Sequence, residues 1–355
     1  MNKAGKTLVI LSPGFPENEG DTTCLPAQQV FVRALNHRFE SLNIVILSFQ
    51  YPFISNSYVW NNNLVIPLHG REKGKIRRLW TWFRAWQTLK KLRKEYDIIG
   101  LLSFWCTECA LIGTRFGKKY LIKHYSWILG QDARKNNRFI PWIKPQTENL
   151  MAMSGFLSKE FYKNHRIKPG HIVPNGIDIS SYPHRVKKRD IDVLAVGSLI
   201  PLKQYEVLIR VIKKLSNSIP EVSCIICGKG PEEEHLRKMI LDNNLQKNIS
   251  LLGEKPHGEI LEWMARSKVL LHPSSYEGFS TVCLEALYSG THVTSFCDPT
   301  GSRIAHWHVV DNEEEMVMVV NKIIQNPEAD YGRILVYSMD DSAKQVMKLF
   351  DFSGS

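Results

Sequence analysis

The chain has 355 residues, 43% of them hydrophobic and 10% aromatic, and a formal net charge of +11. That length exceeds one ordinary core and points to two domains, and the composition excludes a disordered chain. No apolar run reaches the length of a membrane span, and MNKAGK leads straight into a strand-like TLVIL rather than a signal-peptide core, so a cytoplasmic protein is expected.

In chain order, strands are expected at Thr7–Leu11, Ile44–Phe49, Asp97–Phe104, Lys119–His124 and Met151–Ser154, with HIVP as a short closing strand. Between the second and third, Arg71 to Lys94 carries ten Lys/Arg residues against one acid, Glu72, together with Trp80, Trp82, Phe83 and Trp86. Leu79, Trp82, Trp86 and Leu89 fall at helical spacing as a core face, which turns Trp80 and most of the cations outward. Two readings fit: a basic amphipathic helix on an anionic membrane surface, or a solvated helix whose aromatics are all core. Nucleic acid is disfavoured as a partner, because no recognised motif accompanies the charge and charge alone attracts nonspecifically.

Of seven cysteines, Cys106/Cys109 and Cys224/Cys227 have CxxC spacing. Neither pair has companion ligands at zinc-finger spacing, and the second lies in the apolar strand VSCIIC. Reduced thiols and no metal are expected.

The turn Pro174-Asn175-Gly176-Ile177-Asp178 and the basic run to Arg189 read as an interdomain connector. Beyond it, strand-like runs at Asp192–Gly197, Val222–Gly228, Ile249–Gly253, Val269–Pro273 and His292–Phe296 alternate with helical patterns such as Tyr205–Leu215 and Glu233–Leu241. Near-continuous apolar strands alternating with helices give a parallel sheet covered on both faces, whose ligands bind at the carboxyl ends of the strands. The loops at those ends are Gly197-Ser198, Gly228-Lys229-Gly230, Gly253-Glu254-Lys255 and Ser275 to Ser280.

The last of these belongs to the most informative stretch, PSSYEGFSTVCLEALYSG from Pro273 to Gly290. A helix is expected from Thr281 to Tyr288, with Glu285 set among Leu284, Ala286 and Leu287. A carboxylate there needs a partner, because an unpaired buried charge costs several kcal/mol. The helix start, with Gly278 allowing close approach, is an anion site, and Glu285 at i+4 from Thr281 faces the same ligand. A phosphate on the helix end and sugar hydroxyls on Glu285 form one reading. The other is a surface helix with a salt-bridged Glu285 and a capping Ser280.

Taken together, VPNGID (Val173–Asp178), GSLIPLK (Gly197–Lys203), CGKGP (Cys227–Pro231), LLGEKP (Leu251–Pro256) and the Glu277/Glu285 pair resemble one family. It is the retaining, GT-B-fold glycosyltransferases of the family-4 (glycosyl transferases group 1) type, with these segments in the donor-binding domain. The resemblance implies an α/β protein of two Rossmann-like, doubly wound domains facing across a cleft. Residues 1–170 would be the acceptor side and 171–335 the nucleotide-sugar side. Residues 336–355 would hold a terminal helix packing back toward the first domain. The implied activity transfers a sugar, with retention, from a nucleotide-diphosphate sugar to a glycan or lipid-linked acceptor of cell-envelope polysaccharide or lipopolysaccharide assembly, with no cofactor and no metal.

By the same resemblance, Lys203 and the Ser198 loop meet the pyrophosphate, and the backbone of Gly278, Phe279, Ser280 and Thr281 cradles the distal phosphate. Glu285 holds the ribose, Glu277 a hydroxyl of the transferred sugar, and Glu254 and Lys255 the base. Gly14 lets the phosphate region approach the first domain. LGQDA (Leu129–Ala133) resembles an acceptor-side H-G-x-D loop, which assigns Asp132 to catalysis. Leu129 takes the place of the family histidine; His124 either substitutes for it or is a strand-end histidine with no catalytic part. Ser198 stands where an arginine is common, so Lys203 acts alone or with Arg303, and Gly278-Phe279-Ser280 replaces Gly-Phe-Gly. Ser198 and Leu129 also fit a catalytically silent module of this fold tethering partners at a membrane, and a sugar-nucleotide epimerase shares the fold. The partners implied are a nucleotide sugar, its acceptor and an anionic membrane surface met by Arg71–Lys94. The protein would be cytoplasmic, free or peripheral on the inner face of the membrane.

Overall fold

The computed structural model describes residues 4–71, 74–183, 188–297, 300–301 and 303–354. It divides into two compact units: Met1–Gly176 with Met339–Ser355, and Ile177–Ser338. Glu72 and Lys73 of the basic stretch, and His184 to Lys187 of the connector, lie outside the described residues.

The first unit is built on strands β1 (Ala4–Gly14), β2 (Asn43–Tyr51), β3 (Tyr58–Trp60), β4 (Asn63–Pro67), β5 (Tyr96–Phe104), β6 (His124–Ile128), β7 (Leu150–Ala152) and β8 (His171–Ile172). They lie in the order β3-β4-β2-β1-β5-β6-β7-β8, all parallel except β3 against β4. Helices α1 (Pro26–Arg38), α2 (Lys75–Glu95), α3 (Glu108–Tyr120), α4 (Ile140–Ile143) and α5 (Gly155–His165) connect them. Period-2 alternation sorts the core: Val9, Leu11, Val45, Leu47 and Leu101 meet Leu89 and Leu92 of α2 and Ile112 and Phe116 of α3.

The second unit has strands β9 (Ile191–Val196), β10 (Cys224–Cys227), β11 (Ile249–Leu251), β12 (Ser267–His272), β13 (His292–Ser295) and β14 (Trp307–Val309). Its helices are α6 (Tyr205–Ser216), α7 (Glu233–Asp242), α8 (His257–Arg266), α9 (Thr281–Tyr288) and α10 (Glu313–Gln325). The order β11-β10-β9-β12-β13-β14, parallel throughout, is that of a doubly wound nucleotide-binding sheet, and it reverses between β9 and β12. Val193, Val269 and Leu271 point to a core shared with α6 and α10, while Leu194, Leu270 and Val293 point to α8 and α9. Both faces are therefore covered, as the apolar strands require.

The chain returns to the first unit as α11 (Met339–Leu349), which packs on α1. Beyond it, Phe350 sits over β5 where Gly100 has no side chain: a Cβ there would lie 2.2 Å from the ring. Tyr125 donates to the Leu349 carbonyl at 3.2 Å and meets the Phe350 ring edge-on at 5.0 Å.

Two strand expectations need correction. Lys119 and Tyr120 end α3, and the strand begins only at His124, because Leu121 turns the chain through a left-handed conformation (φ 54°). The β3–β4 hairpin was not expected. Asn61 and Asn62 both take positive φ there, which asparagine tolerates and which a tight hairpin needs. All seven cysteines are free, and burial pushes the Cys106 and Cys109 thiols well above their ordinary value.

Candidate functional site at the switch of the second sheet

Between β9 and β12 the connections leave to opposite sides of the sheet, which opens a crevice at the carboxyl ends. The loops expected there are stitched together. Gly197 N–H donates to Cys227 O at 3.0 Å, Leu199 N–H to Lys229 O at 3.0 Å, and Gly228 N–H to Gly253 O at 2.9 Å. Gly228 (φ 152°) lies so close to the β9 loop that a Cβ would stand 1.9 Å from Gly197 O. Gly228→Ala is expected to destabilise the second unit by about 3 kcal/mol. A thermal melt should show a drop of roughly 5 °C or more.

The loop after β9 continues as a short turn, Pro201–Lys203, ended by Gln204 at φ 50°. Ser275 N–H donates to Leu202 O at 3.1 Å, tying this turn to the loop after β12. Lys203 thereby meets Glu277: Nζ donates to Oε1. On the same oxygen lie His272 Nε2 at 2.9 Å and Ser274 Oγ at 3.3 Å. Burial works against ionisation of Glu277, yet the His272 hydrogen bond and the Lys203 charge outweigh it and pull its pKa down to about 2. Burial also lowers the His272 pKa, partly offset by Glu277.

Helix α9 begins at Thr281, and its first turn leaves N–H groups outside the helix's own ladder. Ser280 precedes it without a side-chain cap: its hydroxyl donates to Cys283 Sγ at 3.1 Å. Cys283, Leu284, Ala286 and Leu287 are buried. Glu285, on the partly exposed side, pairs with Nε2 of His257, the first residue of α8, at 2.8 Å. The structure therefore brings Lys203, Glu277, Gly278, Phe279, Ser280 and Thr281 into one continuous loop–helix surface, with Glu285 one turn further in. Phe279 meets Tyr337 with the rings tilted by 45°, at 5.9 Å between ring centroids.

Ser198 is exposed on the β9 loop, Glu254 is exposed after β11, and Lys255 extends its ammonium over Trp263, 5.8 Å from the ring. Arg303 is exposed. Sequence reasoning passed over His257 and His272. Both sit beside a recognised motif, in KPHGE and VLLHP, and the usable signal was a histidine next to a proline at a loop boundary.

In the first unit, Gly14 ends β1 and lines a cavity of about 480 Å³ with Asp21, Cys24, Gln50 and Tyr51. A Cβ on Gly14 would touch Tyr51 Cβ at an ordinary 3.5 Å, so close packing does not demand glycine there. Tyr51 donates to Asp21 at 3.2 Å. Asp132 lies past the end of β6, wholly buried, and accepts from Leu129 N–H at 2.9 Å and Asn137 at 3.3 Å. Burial raises its pKa to about 7 against backbone hydrogen bonds from Leu129 and Cys106. His124 opens β6 at its amino end, not its carboxyl end. Its ring bonds Ser103 at 2.8 Å and Thr114 at 3.2 Å, fills the space left by Gly113, and is held neutral by burial with a pKa of about 3. Among the described residues, no three or more His, Cys, Asp or Glu side chains are grouped to hold a metal ion.

Helix α2 shows a further departure. Leu79 is 58% exposed, beside Trp80 at 64% and Phe83 at 54%. The buried side is Thr81, Ala85, Leu89 and Leu92. It is anchored by a residue not anticipated from sequence: Glu108, buried at the start of α3, accepts from Trp82 Nε1 at 2.7 Å and from Gln50, with Arg78 at 3.4 Å. No helix among the described residues is long and apolar enough to cross a membrane.

Residues 178–331 match the family described as glycosyl transferases group 1. That match spans almost the whole of the second unit. A curated relative, the phosphatidylinositol N-acetylglucosaminyltransferase gpi3 subunit of Schizosaccharomyces pombe, is 25% identical over 214 residues, which is 58% of this chain and 47% of that protein. The chain spans less than half the length of the first curated relatives it matches. Among solved structures, sucrose-phosphate synthase of Thermosynechococcus elongatus aligns with a TM-score of 0.72 at 15% identity, covering 98% of this chain and 95% of that one. Anabaena HepE in complex with UDP-glucose aligns at 0.67 and 15% identity, covering 98% and 97%. These likenesses extend over both units and share the α/β architecture of two parallel-sheet domains that defines GT-B glycosyltransferases.

Proposed function

We propose that the protein is a glycosyltransferase that takes a sugar, with retention, from a nucleotide-diphosphate sugar and passes it to a glycan or lipid-linked acceptor of cell-envelope assembly. The observation that carries this reading is the meeting of Lys203, Glu277, Glu285 and the start of α9 at the switch of a doubly wound sheet. A diphosphate there finds an ammonium and helix-start amides, which stabilise a leaving group without requiring a metal. Lys203 pairs with Glu277, and a diphosphate would draw it away by offering more negative charge. Glu285 then takes the ribose hydroxyls, and the loop at Glu254-Lys255 faces the base.

Ser198 supplies no cation, so Lys203 carries the pyrophosphate contact. On the acceptor side, the cavity beside Gly14 offers Asp21 and Tyr51 to a hydroxylated acceptor. Asp132, 1% exposed with its two oxygens taken by Leu129 N–H and Asn137, holds the Leu129–Ala133 loop together rather than meeting an acceptor. His124 takes no part either, since its ring is enclosed between α3 and the sheet. HepE is described bound to UDP-glucose, and that supports a uridine nucleotide as the first donor to try. The surface of α2 fits peripheral attachment to an anionic membrane.

Calorimetric titration with UDP, GDP, ADP and CMP tests this reading. One nucleotide is expected to bind, and Glu285→Ala should weaken it by roughly 30-fold, about 2 kcal/mol, because hydrogen bonds to a charged acceptor are lost. Unchanged affinity in the variant would remove Glu285 from the site. Binding of none would favour the silent tethering module.

A further inference from the structure

Each carboxylate of the donor site is held by one histidine, in the same way. His257 Nε2 lies 2.8 Å from Glu285 Oε1, and His272 Nε2 lies 2.9 Å from Glu277 Oε1. The other contacts of Glu277, from Lys203 and Ser274, converge on that same Oε1. Among the described residues no hydrogen bond reaches Oε2 of either glutamate, and neither Oε2 is sealed from solvent as an orphaned buried atom. The two histidines also come from different places: His257 opens α8, while His272 ends β12 and is 4% exposed. Two unrelated elements thus supply the same contact to the two members of one motif.

A carboxylate that must accept from a sugar hydroxyl benefits from being locked in one rotamer with one oxygen occupied and the other presented. We propose that His257 and His272 are positioning residues: each fixes Oε1 of its glutamate and so reserves Oε2 for a ligand hydroxyl, the ribose for Glu285 and the transferred sugar for Glu277. This rests on the donor-site reading above.

His272 has a second task. Lys203 leaves Glu277 for the diphosphate, and His272 and Ser274 are then the donors that stay on the carboxylate. The charged and titratable groups around that pair are Lys203, Cys283 and Cys297, with Tyr205 further off. Burial keeps the Cys283 and Tyr205 protons on, and raises Cys297 as well, so none of the three competes as a second anion.

The proposal predicts a crossed pattern that a merely structural role would not produce. His257→Leu should weaken UDP binding roughly tenfold while the saturated rate of UDP release from UDP-glucose, with water as acceptor, stays within about threefold. His272→Leu should do the reverse, lowering the saturated rate roughly tenfold with UDP affinity nearly unchanged. Glutamine at either position, whose Nε2 reaches the same oxygen, should restore most of the loss. GDP or ADP with its glucose conjugate replaces the uridine pair if that is the nucleotide the wild type binds.

Equal losses of affinity and rate in both leucine variants, or no loss in either, would overturn the proposal. Should His272→Leu fail to fold, the unmutated protein supplies the reading through its imidazole nitrogen resonances. His257 should respond to UDP, and His272 should respond further only to UDP-glucose; silence of both overturns the assignment. If Glu285→Ala leaves UDP affinity intact, the donor-site reading itself fails. If Glu285→Ala weakens binding and His257→Leu does not, only the positioning role fails.

Discussion

Glu277→Gln is expected to cut turnover of the nucleotide sugar roughly 100-fold, about 3 kcal/mol of barrier, while nucleoside diphosphate affinity moves by less than about threefold. The substitution keeps shape and changes chemistry. Its carbonyl can still accept from His272 and Lys203, but the position of Oε2 becomes an N–H₂ that cannot accept from a sugar hydroxyl. The negative charge, which helps an electron-poor sugar carbon form, is lost with it. Steady-state rates at saturating donor, set beside calorimetric affinities, separate the two effects; equal losses in both would reassign Glu277 to binding.

The same variant has a signature in stability. Burial would raise the carboxyl pKa, but the His272 hydrogen bond and Lys203 hold it at about 2, below the ordinary 4.5. A depressed carboxylate pKa stabilises the fold in full above the unfolded value and loses that contribution as pH falls through the folded one. Wild type should therefore lose its melting advantage over Glu277→Gln between about pH 5 and pH 2. A constant difference across that window would mean that neither the His272 hydrogen bond nor Lys203 favours the ionised Glu277 in the folded state.

The second unit was legible because its signals are local and agree with one another. Apolar runs placed five of its six strands within two or three residues, the short edge strand β14 having no such run, and α9 begins and ends at Thr281 and Tyr288 as its pattern predicts. The lone Glu285 among apolar neighbours marked a partner, and the structure supplies His257 from 28 residues away. Which histidine it would be had no local trace, since the contact depends on where α8 starts relative to α9. In the first unit the departures have separate causes. Leu79 was assigned to the core because it shares helical spacing with Trp82 and Trp86. The face of α2 is instead set by Glu108, which draws in Trp82 and Arg78 from a distant helix start. The strand at His124 was misplaced because Lys119 and Tyr120 carry both helical and strand patterns, and only the left-handed turn at Leu121 decides between them.

That corrected helix face sets the sharpest test of where the protein works. With Arg78 turned to Glu108 and Arg93 stacked 4.3 Å from the Tyr120 ring, neither is a free surface charge. Helical periodicity instead groups Leu79, Trp80, Phe83, Arg84, Lys90, Lys91 and Lys94 along the outward arc, all of them exposed. Trp142 of α4, 59% exposed, stands 6.4 Å from Trp82 and extends the aromatic edge. Such an arc, three large apolar groups among four cations, matches a helix lying in the headgroup layer of an anionic bilayer. Each cation adds about 1 kcal/mol there, so replacing Arg84, Lys90, Lys91 and Lys94 by glutamine should weaken binding to phosphatidylglycerol vesicles by roughly three orders of magnitude. Trp80→Ser with Phe83→Ser should weaken it further and, unlike the charge change, should do so equally at high salt. Vesicle pelleting at two ionic strengths reads both effects. Undiminished pelleting of the four-glutamine variant would leave α2 as a solvated helix on the sheet and move the acceptor away from lipid.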